Sequence, residues 1–142
     1  MSDRFPLPDP DFAATRPFFE AAARNELSLP QCVECGDWCW YPSDRCHRCA
    51  GEAFDWKTLS GEGELFSWAV VERAFAKAFA PRVPFVAALV VPVEAPHVRI
   101  PSNVVHCPVE KLEIGMRLRS VFLPLQFEGV PGSVVVPFFE PS

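Results

Sequence analysis

Cys32-Val33-Glu34-Cys35-Gly36, followed after ten intervening residues by Cys46-His47-Arg48-Cys49, has the spacing of a four-sulfur metal site. A tetrahedral ion needs four deprotonated soft ligands about 2.3 Å away, and each C-x-x-C turn aims two sulfurs at one point while its backbone N–H groups face them. Gly36 suits the positive φ at which such a turn closes. All four ligands come from the protein and no position is left open, so the site is read as structural. Zinc is the first choice, and rubredoxin-type iron would use the same sulfurs. Redox C-x-x-C pairs occur singly beside a βαβ pattern, which is absent here. The polar start after Met1 has no apolar leader, which argues against export and disulfides and for the cytoplasm. Cys39 and Cys107 fall outside the pattern and are read as packing residues, and His47 as a surface residue. Arg45 and Arg48 flank the second pair and offset part of the charge of four thiolates on a divalent ion.

Working outward, the 142 residues suffice for one good core or for two small modules, one leaning on the metal; the second arrangement is expected. The longest apolar run, Phe85 to Val91, is far short of the ~20 residues of a membrane helix. The formal net charge of −5, with no Lys/Arg-rich run, disfavours a general nucleic-acid binder. Thirteen Phe beside a single Tyr exceed the need of a small core, which points to apolar surface meeting a partner. Sixteen Pro exclude long helices beyond the N-terminal region.

Residues 1–10, rich in Pro and Asp, read as an extended arm. From Asp11 a helix is expected, with Pro17 in its first turn, Ala14, Phe18 and Ala22 on one stripe, Phe19 and Ala23 beside it, and Asn25 ending it. Leu27 and Leu29 lead into the metal module as a short strand. The aromatics of Trp38-Cys39-Trp40-Tyr41-Pro42 are expected to pack between its knuckles. After Gly51 the pattern becomes strands: Phe54, Trp56 and Leu59 alternate with polar residues, and Gly61-Glu62-Gly63 forms a turn or bulge. Then follow Leu65 to Val71, Phe85 to Val91, Val98 to Val105, Met116 to Leu123 and Val134 to Phe139. About five strands with short links suit a small closed barrel, and the count matches an OB-fold. The division expected is therefore an arm and helix at 1–28, a zinc ribbon at 29–53 and a mainly β barrel domain at 54–142. Glu72 to Pro84 is a long link in which Phe75 and Phe79, four apart among alanines, suit a short helix.

No G-x-S-x-G, H-E-x-x-H or phosphate-binding glycine loop occurs, and His97 and His106 have no carboxylate companion nearby in sequence. Cys107, beside His106 and Lys111, is a weak case for a reactive thiol. Ser102-Asn103 is read as a source of turn hydrogen bonds. The chain reads instead as a binder. Arg73, Lys77 and Arg82 supply the cations, and the aromatics supply apolar surface. An acyl-CoA needs only two or three cations at its phosphates and an apolar path for its acyl arm. A single strand of nucleic acid needs a basic groove with stacking residues, and is the alternative.

The assembled order resembles the DUF35 family. The resemblance rests on Pro17-Phe18-Phe19-Glu20-Ala21-Ala22, the four cysteines with Gly36, Tyr41-Pro42 and Gly61-Glu62-Gly63-Glu64-Leu65-Phe66-Ser67. It extends through Val83-Pro84-Phe85, Ser102-Asn103-Val104-Val105, Ile114-Gly115-Met116 and Pro137-Phe138-Phe139-Glu140-Pro141. It implies an N-terminal helical segment, a rubredoxin-like zinc ribbon with Cys32, Cys35, Cys46 and Cys49 as ligands, and a C-terminal five-stranded OB-fold. It also implies a non-catalytic subunit, one that stabilises a thiolase-like acyl-CoA enzyme (a thiolase, an acyltransferase or a lipid-transfer-protein-type steroid side-chain aldolase) and helps form its acyl-CoA site. The chain departs from the family pattern at His47, where Pro is usual, at Ala50, where Gly is usual, and in the Ala- and Phe-rich loop 72–84.

Overall fold

The computed structural model of the chain describes residues 3–142. Met1 and Ser2, at the start of the expected arm, lie outside the described residues. The helix α1 covers Arg16–Ala23 and is shorter than the expected one, because residues 11–15 form turns. The cause is Pro17: its ring would clash with the carbonyl four residues earlier, so it is tolerated only in a first turn. Asn25, at φ 62°, ends the segment as expected. The buried face is Phe18, Ala21 and Ala22, whereas Ala23 faces solvent.

Strand β1 (Leu27–Cys32) pairs antiparallel with β2 (Phe54–Leu59), from Leu27 opposite Leu59 to Cys32 opposite Phe54. This two-stranded sheet takes one strand from each side of the expected boundary at residue 54, and β2 pairs with β1 and with no strand of the barrel. Alternation made β2 a strand but could not name its partner. The metal loop hangs from the Cys32 and Phe54 end of the sheet.

Five strands form the closed barrel: β3 (Glu62–Val71), β4 (Phe85–Pro92), β5 (Ile100–Val104), β6 (Arg117–Leu125) and β7 (Val134–Pro141). Their order is β3-β4-β5-β7-β6, with β6 returning to β3. The expected turn or bulge at 61–63 divides. Gly61, at φ 87°, turns the chain, while Gly63 lies inside β3, where a Cβ would come within 2.9 Å of the Val91 carbonyl. The register shift falls later, between Leu65 and Ser67. The seam of the barrel is between β5 and β7, which are parallel and share one pair, Val104 and Phe139. There Ser102, expected to serve a turn, instead donates from Oγ to the Pro137 carbonyl at 2.9 Å.

The period-2 pattern is clear in β4, where Val86, Ala88, Val90 and Pro92 point inward and are buried. Leu65, Val90, Ile100, Leu118 and Phe139 fill the barrel, and the same cluster runs on through Leu59, Leu27 and Leu29 to Phe18 of α1. Each such side chain contributes about 1.5–3 kcal/mol by leaving water. A second, separate cluster consists of Cys32, Cys39 and Cys46 with Phe54 against it. The ribbon aromatics do not fill the space between the knuckles. Trp38 and Trp40 pack on the large core, Trp40 with its ring 4.8 Å from that of Phe18, and so tie the ribbon to the helix.

Candidate metal centre and apolar surface

The two knuckles are built alike. In the first, Cys32 N–H donates to the Asp37 carbonyl (2.8 Å) and Gly36 N–H to the Cys32 carbonyl (2.9 Å). In the second, Cys46 N–H donates to the Gly51 carbonyl and Ala50 N–H to the Cys46 carbonyl, both at 2.8 Å. Each turn needs a left-handed residue after its second cysteine: Gly36 at φ 78° and Ala50 at φ 63°. Ala50 therefore holds a conformation costing a residue with a Cβ about 1–2 kcal/mol.

The four sulfurs of Cys32, Cys35, Cys46 and Cys49 lie within 4.8 Å of one another. Cys32 and Cys49 are 3.6 Å apart, as are Cys35 and Cys46. Bonds of 2.3 Å to a tetrahedral ion give sulfur–sulfur edges of about 3.8 Å, so the donor set fits such an ion with small adjustments. Backbone donors face the sulfurs as thiolates require: Arg48 N–H lies 3.4 Å from Cys46 Sγ and Gly51 N–H 3.4 Å from Cys49 Sγ. N–H groups of Cys49 and then Arg48 lower the Cys46 thiol to about 6. Cys39 Sγ sits 3.8 Å from Cys46 Sγ, and burial pushes its thiol up to about 12, so it stays protonated. Arg45 pairs with Glu52 at 3.3 Å. His47, exposed, reaches Asp37 of the other knuckle at 3.5 Å.

The cations of the 72–84 loop are placed differently from one another. Arg73 and Lys77 are exposed. Arg82 is half-buried, lies 5.1 Å from the centre of the Phe127 ring and donates to the Gln126 carbonyl at 3.4 Å. The expected helix is only a 3₁₀ turn, Lys77–Phe79. Phe79 turns inward onto Phe85 and Phe127, and Phe75 turns out, so the two do not share a helical face.

His106 has the carboxylate companion that the sequence did not reveal. Its Nδ1 meets Glu140 Oε1 at 2.5 Å, and Arg119 Nε donates to the other oxygen at 2.9 Å. The hydrogen bond from His106, then that from Arg119, hold the Glu140 carboxyl below its usual value. Residues 106 and 140 meet only because β7 closes beside the end of β5, so no local signal could have found the pair. Cys107 is half-buried against the main core, and its Sγ lies 3.5 Å from the Pro108 carbonyl.

Sequence reading also missed an apolar cleft of about 670 Å³ between α1 and the barrel seam, where Phe18 and Phe19 face Trp68, Leu89 and Phe138. A second hollow of about 380 Å³ continues past the same two phenylalanines to Phe12, Trp40 and Tyr41. Among the described residues no helix is long and apolar enough to cross a membrane.

Residues 19–55 match the family model described as the ChsH2 rubredoxin-like zinc ribbon domain, and residues 56–123 match that of the ChsH2 C-terminal OB-fold domain. The chain is 31% identical over 114 residues to a DUF35 domain-containing scaffold protein of Methanocaldococcus jannaschii, covering 78% of each. It is 31% identical over 127 residues to a probable enoyl-CoA hydratase alpha subunit of Thermomonospora curvata; that match takes in 88% of this chain but 36% of the relative, so the chain spans about a third of its length. Among solved structures it resembles a chain of the Ltp2-ChsH2(DUF35) aldolase, with a TM-score of 0.78 and 28% identity, covering 94% of this chain and 98% of that one. A DUF35-family protein of unknown function from Sulfolobus solfataricus shares the fold, with a TM-score of 0.60 at 14% identity over 99% and 91% of the two chains.

Proposed function

The chain belongs to the DUF35 family, and on that premise we propose that it is a non-catalytic accessory subunit of a thiolase-like acyl-CoA enzyme. The observation that carries this reading is the likeness to the chain of the Ltp2-ChsH2(DUF35) aldolase, which extends over nearly the whole of both chains. The apolar cleft beside α1 supports it, since the helix leaves Phe19 and its neighbours lining an open hollow of a size that a partner segment or an acyl arm fills.

In this reading Cys32, Cys35, Cys46 and Cys49 hold one structural zinc ion. The ion fixes the ribbon, and the ribbon fixes Trp40 against α1, which sets the wall of the cleft. The bound zinc supplies cross-linking and no chemistry on substrate. Catalysis is assigned to the partner. This chain stabilises it and completes its acyl-CoA passage, with the exposed Arg73 and Lys77 meeting the phosphates while Arg82 stays engaged on Phe127.

The test is co-expression with a candidate thiolase-like protein of the same genome, followed by size-exclusion chromatography and metal analysis of the shared peak. Co-elution with about one zinc per copy of this chain is expected. Separate elution of a folded, metal-loaded chain would overturn the reading.

A further inference from the structure

The link from β3 to β4 is the part of the barrel that its own core explains least. After Glu72 it reads Arg-Ala-Phe-Ala-Lys-Ala-Phe-Ala-Pro-Arg-Val-Pro, with no acidic and no neutral polar side chain. At its tip Phe75 is 98% exposed, against 67% for Ile114, the next most exposed large apolar residue among those described. Long connections in compact domains are usually functional loops, and this one lies at the mouth where OB barrels take their ligands.

The base of the loop is fixed. Phe79 stacks on Phe85 with ring centres 5.9 Å apart and meets Phe127 edge-on at 5.1 Å. Arg82 covers the Phe127 ring and bonds the Gln126 carbonyl, and Arg82 N–H donates to the Phe79 carbonyl at 2.9 Å. Phe75 is thus held out from an ordered base, which removes much of the entropy cost of burying it against something else. Two residues to either side stand Arg73 and Lys77, exposed and outside every ion pair among the described residues, on a chain of net charge −5. An apolar tip between uncompensated cations complements an apolar socket beside anions.

We infer that Phe75 is the anchor of a partner-specific docking finger. It inserts into an apolar socket of the thiolase-like subunit at the mouth of its CoA passage, where Arg73 and Lys77 reach the CoA phosphates. The inference rests on the accessory-subunit reading and deepens it. Phe75 binds protein, and the two cations bind substrate.

The experiment compares wild type, Phe75→Ala, Phe75→Trp and the double variant Arg73→Ala/Lys77→Ala, each titrated against the purified thiolase-like chain by calorimetry without CoA. Phe75→Ala is expected to weaken the complex about 30-fold or more, as truncation of an interface anchor does, and Phe75→Trp to keep it. The isolated Phe75→Ala chain should keep its melting temperature and metal content, because its side chain has no place in the core. The double variant should leave affinity for the partner within a few-fold and raise KM for the acyl-CoA substrate of the complex. A wild-type complex that Phe75→Ala leaves unchanged would overturn the anchor while the accessory reading stands. Failure of wild type to bind the thiolase-like chain at all would overturn both. Wild-type binding to phosphatidylcholine–phosphatidylserine vesicles, or to a labelled oligothymidylate, that Phe75→Ala abolishes would assign the tip to a membrane or a nucleic acid and overturn the inference as well.

Discussion

The ribbon and the barrel are built on opposite principles. Inside the barrel, Leu65, Val90, Ile100, Leu118 and Phe139 exclude water from one another, and the sheet closes on itself. Inside the ribbon the buried cluster is three cysteines with one phenylalanine against them. Segments this short cannot bury enough apolar surface to offset the entropy of ordering, so the cross-link has to come from the ion. The aromatic residues of the ribbon are spent elsewhere, holding it to α1 and the barrel.

The contrast breaks most sharply at a ligand. Cys32→Ala should abolish metal binding and leave the ribbon open to hydrogen exchange, because binding free energies of structural zinc reach about 10–16 kcal/mol in zinc-finger peptides. The barrel amides should stay protected in the same exchange experiment. Phe139→Ala is the converse probe, removing a side chain of 0% exposure from the barrel core. It should cost about 3–5 kcal/mol in denaturant unfolding, with a full metal content in the fraction that remains folded.

Ala50→Gly sharpens the comparison from the other side. It relieves the left-handed strain of the second knuckle, and after allowance for the looser unfolded chain it should stabilise the metal-loaded ribbon by about 0.5–1 kcal/mol. The expected sign is a higher melting temperature; the same change at Ala23, on the exposed end of α1, should lower it.

The smallest effect lies at the barrel seam. The folded-state pKa of Glu140 is held below its ordinary 4.5 by His106 and Arg119, so its contribution to stability is present above that value and is lost as pH falls through the folded-state pKa. Glu140→Gln should therefore be less stable than wild type near neutrality, and the gap should close as pH drops below about 4.5. Urea unfolding of both proteins across that range reads it directly. A gap constant with pH would mean that the ion pairs add nothing.

The ligand set could be read in the sequence because each knuckle is local, with both sulfurs and the left-handed residue inside six positions. Ala50 stood out in the sequence only as a departure from the family's Gly, and the structure shows that it takes the left-handed place that Gly36 holds in the first knuckle. The five barrel strands were visible as short apolar runs bounded by Pro, Gly or charged residues, as in Phe85 to Val91. What alternation leaves open is the partner, and so β2, which reads as a barrel strand, pairs with β1. The helix begins at Arg16 and not near Asp11, because Pro17 is tolerated only in a first turn and the helix-forming residues before it cannot extend the helix backwards.

By itself, then, the sequence determined the four sulfurs, the number of barrel strands and the cations on either side of Phe75, because these follow from short-range spacing and from charge. Only the tertiary structure decided that Glu140 meets His106, that Trp40 packs on Phe18 beside the second apolar hollow, and that Phe79 turns in while Phe75 turns out. Those contacts join residues far apart in the chain or depend on which face of a loop meets the barrel. Sheet closure and core packing fix both, and no local pattern records them.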